Sequence, residues 1–215
     1  MTHQTPDETP DETPGESTEK TAEKTAQKIT NRTSEAAAMN DGAQRRRVLQ
    51  RGLWFEEFET GTIYEHRPGR TVTETDNVLF TTLTMNTQPL HLDAHESGQL
   101  PPYHERLVNS MFTLSTLVGL SVAQLTQGTI VANLGFSEVK FPAPVRHGDT
   151  LYAETLILHK RPSSSRPGEG VVTMQHIART QDGTVVAVAT RNTLVRMAPQ
   201  ESTDEGSTDQ GSTDE

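Results

Sequence analysis

The segment LTMNTQPLHLDAH, residues 83–95, holds the side chains best suited to chemistry. Imidazole exchanges protons near neutral pH, so His91 suits general base and general acid work. Asn86, five residues earlier, cannot take a proton at neutral pH, but its amide can orient a water. Asp93, two residues later, is either a second base or the cap of a short helix around Ala94 to Gly98. His91, Asp93 and His95 alternate. An extended segment would set all three on one face, as metal ligands are set, whereas a bend near Ala94 would separate them. His147, in VRHGDTL, reads as a solvated turn residue.

The elements around this segment must hold it in place. ETDNVLFTTLTM, Glu74 to Met85, reads as a helix with Val78, Leu79, Phe80 and Leu83 facing inward and Thr73 or Thr75 as its cap. The segment with Pro89 and His91 then reads as a loop. LVNSMFTLSTLVGLSVAQL, Leu107 to Leu125, is the most apolar stretch. Its apolar residues surround the helix, which predicts a buried central helix beginning near Asn109 or Ser110. Small residues at Ser115, Thr116 and Gly119 suit close packing against a sheet. Four strand-like runs follow, TIVANLGFSEVKF, TLYAETLILHKR, GVVTMQHIAR and TVVAVATRNTLVRM, with turns at Gly148-Asp149, Pro167-Gly168 and Asp182-Gly183. Upstream, Trp54, Phe55 and Phe58 are anchors, and Ile63 and Tyr64 start a short strand. One apolar helix followed by antiparallel strands predicts an α+β fold, a curved sheet around the helix. That helix has more apolar surface than one sheet covers, so a second subunit is expected.

Composition bounds the partners. The 215 residues carry a formal net charge of -10 and no cysteine, which excludes disulfides, thiolate metal sites and cysteine nucleophiles. Between residues 48 and 199 there are 12 Lys and Arg against 14 Asp and Glu, so the acidity belongs mostly to the ends. Nucleic-acid binding needs a basic face and is not expected. No apolar run approaches the roughly 18 residues of a membrane span. The acidic N-terminus lacks the apolar core of a secretory signal, and the expected location is cytoplasmic. The repeated Pro-Asp-Glu-Thr of residues 1–47 and the Ser-Thr-Asp repeats of 200–215 read as disordered tails, with a short helix between Thr18 and Ala38. The folded domain is residues 48–199.

Four blocks, in order, resemble the MaoC-like hydratase/dehydratase family of the hot-dog fold. VLFTTLTMNTQPLHLD is similar to the family's Asp-x-Asn-Pro-x-His motif, and LVNSMFTLSTLVGL to its central helix. NLGFSEVKFPAPVRHGDTL matches a strand, a Pro-rich bend and a Gly-Asp turn. HKRPSSSRPGEGVVT with RTQDGTVVAVATRNTLV supplies the last hairpin. LTMNTQPLH and LVNSMF further resemble a subgroup acting on branched C4–C5 dicarboxylyl-CoA compounds such as mesaconyl-CoA or itaconyl-CoA. The resemblance implies a homodimer, reversible hydration of an enoyl-CoA, no metal, and no cofactor beyond the coenzyme A carried by the substrate. It also implies that a backbone N–H at the start of the central helix polarises the thioester carbonyl.

The chain departs from that pattern. Asn86 occupies the place of the family's catalytic Asp, Gln88 that of its motif Asn, Ser110 that of a Gly whose N–H serves the oxyanion, and Val118 that of a helix Ser. Pro89 and His91 match. The expected catalytic set is therefore His91 as base and acid, Asn86 holding water or carbonyl, and the Ser110 N–H on the enolate oxygen. Arg106 and Asn109 are candidates for substrate binding, Arg106 through a distal carboxylate. The alternative for Arg106 is a surface residue at the helix end. Arg161 and Arg166, in the hairpin tip KRPSSSRP, are candidates for coenzyme A phosphates, with Lys140, Arg146 and Lys160 as further basic residues. The rival readings are an acyl-CoA thioesterase and a non-catalytic acyl-CoA-binding protein. No acidic residue falls between Leu107 and Thr129, which counts against the thioesterase.

Overall fold

Alternating burial along the second half of the chain builds the sheet. The computed structural model describes residues 21, 23–31 and 46–200, and the chain divides into two units, residues 1–48 and 49–215. In the first unit, residues 23–31 are helical, inside the helix expected there. The repeats of both tails lie outside the described residues. The second unit runs from a 3-10 turn (Phe55–Glu57) through β1 (Ile63–Thr71), α1 (Glu74–Leu83), α2 (Pro89–Leu92), α3 (Ala94–Gln99) and α4 (Ser110–Leu125). It continues with β2 (Ile130–Lys140), β3 (Thr150–Pro162), β4 (Glu169–Arg179) and β5 (Val185–Arg196). The strands lie in the order β1-β3-β4-β5-β2, every neighbouring pair antiparallel. This is the α+β, hot-dog arrangement expected from the sequence. Among the described residues no helix is long and apolar enough to cross a membrane.

The period of two sets the inner face. Leu151, Ala153, Thr155 and Ile157 of β3, and Val172, Met174, His176 and Ala178 of β4, are buried while their neighbours are half-buried or exposed. Two apolar clusters result. One gathers Val72, Val108, Leu117, Leu151, Ala153 and Ala189. The other gathers Phe55, Phe58, Leu125, Ile157, Met174 and Val195. A buried polar row crosses the strands at the level between them. His66 Nε2 lies 2.7 Å from Thr155 Oγ1, which lies 2.7 Å from His176 Nδ1, and His66 Nδ1 lies 2.7 Å from Gln124 Oε1. Burial and the nearby Arg191 push His176 down to about 3, so it is neutral.

Two expectations about the helices are corrected. On α1, Leu79 and Leu83 face solvent, and the buried residues are Asn77 and Thr81. The polar pair, four residues apart, turns inward because it has partners there, described below. On α4, only the stripe Thr113, Leu117, Ser121 and Leu125 is fully buried. Met111, Ser115, Gly119 and Val122 are exposed, because the sheet covers one side of the helix. The small residues Ser115 and Gly119 therefore face away from the sheet. Thr73 does cap α1, in a reciprocal capping box with Asp76.

Candidate active site

The PLHL segment is a short helix, α2, rather than a loop, with Pro89 at its first turn, where a missing N–H costs nothing. Asp93 ends it and caps α3, accepting from Glu96 N at 2.9 Å. His91, Asp93 and His95 therefore sit across two helices instead of one extended face, and His95 pairs with Gln99 on the surface. Residues 105–109 run as a strap between α2 and the Pro-rich bend, with Leu107 N on Leu90 O at 3.0 Å and Val108 N on Val145 O at 3.0 Å.

The strap decides the state of His91. Its Nδ1 lies 2.9 Å from the backbone oxygen of Leu107. A carbonyl only accepts, so Nδ1 carries the proton and the neutral ring keeps its lone pair on Nε2. His91, Ser110, Thr113 and Tyr103 line one cavity of about 340 Å³, closed by Leu107, Val108 and the Phe141–Val145 bend. Among the described residues no carboxylate lines it. Ser110 opens α4. The Asn109 side chain takes Met111 N at 2.9 Å, while the N–H of Ser110 has no acceptor among the described residues. Ser110, with a free N–H at the positive end of a sixteen-residue helix, thus lines the same cavity as His91.

The other expected site residues are placed elsewhere. Asn86 is not among the residues lining the cavity, and its Oδ1 accepts from Gln88 N at 3.0 Å, a local turn that leads into α2. Asn109 is buried and its amide caps α4, so it offers no group to a substrate. Arg106 is paired with Glu74 and largely buried, so a ligand carboxylate would have to displace Glu74. Arg161 and Arg166 sit at the tip of the β3–β4 hairpin. The cavity lies by the opposite end of these strands, about 30 Å away along a strand of this length. Within one protomer they do not join it. Lys160 is spent on the backbone oxygens of Phe55 and Glu56. Lys140 pairs with Glu138, and Arg146 with Glu105.

Two residues of the site escaped the sequence. Asn77, fully buried on α1, reaches the backbone oxygens of His91 and Leu107 at 3.1 and 3.3 Å. His147 is half-buried rather than solvated, with Nε2 at 3.1 Å from Asn77 Nδ2. Burial first, then Arg106, holds His147 below the ordinary histidine range. The signal for Asn77 was its four-residue spacing from Thr81 inside an apolar helix. Nothing local marked His147.

Residues 56–180 match the sequence profile of the MaoC like domain. The chain belongs to this family. Over 175 residues it is 27% identical to the mesaconyl-CoA hydratase of Haloarcula hispanica, which is 80% of this chain and 48% of that protein. The chain therefore spans about half the length of this curated relative. A solved monoamine oxidase regulatory protein from Archaeoglobus fulgidus superposes with a TM-score of 0.62 and 29% identity, covering 71% of this chain and 100% of that one. A Mycobacterium tuberculosis protein described as a double hotdog fold superposes at 0.63 with 20% identity, covering 69% of this chain and 46% of its own. The fold of this MaoC-like chain is the hot-dog fold.

Proposed function

We propose that this MaoC-like chain catalyses reversible hydration of an enoyl-CoA, with a branched C4–C5 dicarboxylyl-CoA such as mesaconyl-CoA or itaconyl-CoA as substrate. The observation that carries the reading is the cavity shared by His91, whose Nδ1 is held by Leu107 O, and Ser110 at the start of α4. Nε2 takes a proton from water as its oxygen bonds to the β-carbon of the double bond. The electron pair moves through the α-carbon onto the thioester oxygen, where the Ser110 N–H and the start of α4 hold the enolate. The imidazolium then returns its proton to the α-carbon, so water is added and His91 is restored. Coenzyme A enters as part of the substrate. The Haloarcula relative supports the acyl class, and Asn86 serves by shaping the turn before α2.

A second reading, an acyl-CoA-binding protein without turnover, is favoured by one observation: no carboxylate lines the cavity among the described residues. The same observation counts against a thioesterase. The test follows loss of enoyl-thioester absorbance with mesaconyl-CoA, itaconyl-CoA and crotonyl-CoA, for wild type and His91→Ala. The hydratase reading expects turnover of a dicarboxylyl-CoA and a fall of about 10²–10⁴ in His91→Ala. Binding of acyl-CoA with no absorbance loss from either protein would establish the second reading instead.

A further inference from the structure

The Asn77 carboxamide touches every part that aims the site while lining no part of the cavity. Its Oδ1 accepts from Asn109 N at 2.8 Å, the residue that caps α4 and precedes Ser110. That contact turns Nδ2 toward three acceptors, which share its two hydrogens: His91 O at 3.1 Å, Leu107 O at 3.3 Å, and His147 Nε2 at 3.1 Å. Leu107 O is also the oxygen that receives the Nδ1 proton of His91. One buried amide therefore ties the imidazole's orienting carbonyl to the helix N-terminus. A group with no room to move transmits its geometry to both.

We infer that Asn77 is the positioning residue of this site, holding His91 and the start of α4 in register, and that a protonated His147 Nε2, a donor facing a donor, displaces it. This rests on the hydration reading for its effect on rate, but not for its effect on the His91 ring. Asn77 Nδ2 is only a donor. A protonated His147 would point a second donor at it, so the contact would be lost. The charged groups around His147 are Arg106, paired with Glu74, and Glu105, paired with Arg146. Asp149, two residues on, accepts from Arg146 N and Gln181 Nε2. Burial, and after it Arg106, favours the neutral ring, and Glu105 opposes them. The neutral ring is the form that the Asn77 contact requires.

The decisive variants are Asn77→Asp and His147→Gln. In Asn77→Asp, the introduced carboxylate can still accept from Asn109 N but offers no hydrogen to His91 O or Leu107 O. It can, however, accept from a protonated His147. The expected result for Asn77→Asp is a kcat about 10–100-fold lower above neutral pH with KM little changed. Its rate as a fraction of the wild-type rate should also rise as pH falls through the His147 titration, because both proteins lose the His91 lone pair alike and only the variant gains the His147 contact. A simple loss of folded protein would lower the rate without that rise in the ratio. A kcat within about twofold of wild type, with the same pH dependence, would overturn the inference and leave the hydratase reading standing. The second measurement needs no turnover. In wild type, the nitrogen-15 shifts of the His91 ring should report a protonated Nδ1 and should move again when His147 titrates. In His147→Gln, whose side-chain oxygen accepts from Asn77 without titrating, that second movement should vanish. A His91 ring that never senses His147 in the wild type sinks the inference, even if Asn77→Asp does not fold. If no enoyl-CoA reacts but the ring senses His147, the positioning role stands and the hydratase reading falls.

Discussion

At the scale of single residues, the proposed site rests on one imidazole and one backbone N–H, and no carboxylate lines their cavity among the described residues. The N–H can be removed without touching a neighbouring side chain. Ser110 is the first residue of α4, where proline is well tolerated, and Asn109 before it, with φ of -59° and ψ of 126°, is outside the helical region that a following proline disfavours. Ser110→Pro is therefore expected to fold and to lose about 10²–10³ in kcat. Ser110→Ala keeps the N–H and should stay within a few-fold of wild type. Steady-state hydration rates for the pair check this, and equal losses would assign the role to the hydroxyl. Asn86 should behave differently from a catalytic residue. Its Oδ1 holds a turn, and an Asp oxygen can hold the same turn. Asn86→Ala is thus expected to cost about 1 kcal/mol in chemical denaturation, and Asn86→Asp to keep that stability.

At the scale of elements, close backbone approaches fix how the pieces meet. Gly52 is buried against the end of α4, with its N–H on Gln127 O at 2.8 Å and Leu53 N on Leu125 O at 2.9 Å. A Cβ there would stand 2.4 Å from Thr126 N. Since the obstacle is backbone, Gly52→Ala should cost about 1–3 kcal/mol, read as a lower denaturation midpoint at unchanged slope. The opposite sign is expected just after α1. Met85 is 87% exposed and has φ of 55°, the left-handed region that a side chain disfavours. Met85→Gly should raise stability by about 0.5–1 kcal/mol, the strain relieved less the entropy of the freer chain. A fall would mean that the entropy of the freer chain outweighs the strain relieved.

At the scale of the whole molecule, the buried polar row ties stability to pH. In the unfolded chain, His176 binds a proton as pH falls through its ordinary value of about 6.5. In the folded protein it does so only near 3. The unfolded state therefore binds more protons between those values, and acid favours it. Stability should fall across that window by up to a few kcal/mol, and His176→Gln should flatten this part of the curve measured by urea denaturation. Arg191 lies in the same region, buried, with Nε and one terminal nitrogen unpaired. The outer face of α4 and the strand β2, at the edge of the sheet, expose Met111, Val122, Leu134 and Phe136. A homodimer that covers them remains our proposal, and light scattering at micromolar concentration should give twice the chain mass.

The sequence by itself determined the family, the strands and the longer helices, though not the short helix α2. Periods of two and of about four are local properties, and so are caps such as Thr73 and Asp93 and turns such as Gly168 and Gly183. His91, which lines the cavity, stood out as a candidate for the same reason, because the PLH motif is continuous in the chain. Only the tertiary structure decided what surrounds it. Asn77, Leu107 and His147 meet from three separate segments, and no spacing records such a meeting. Arg161 and Arg166 failed to join the cavity for the converse reason. Their charge was visible, but a hairpin of this length carries it to the far end of the sheet. Which side of α1 turned inward was decided the same way. Apolar residues lie on both sides of that helix, and the buried one was chosen by the hydrogen-bond partners waiting for Asn77 and Thr81.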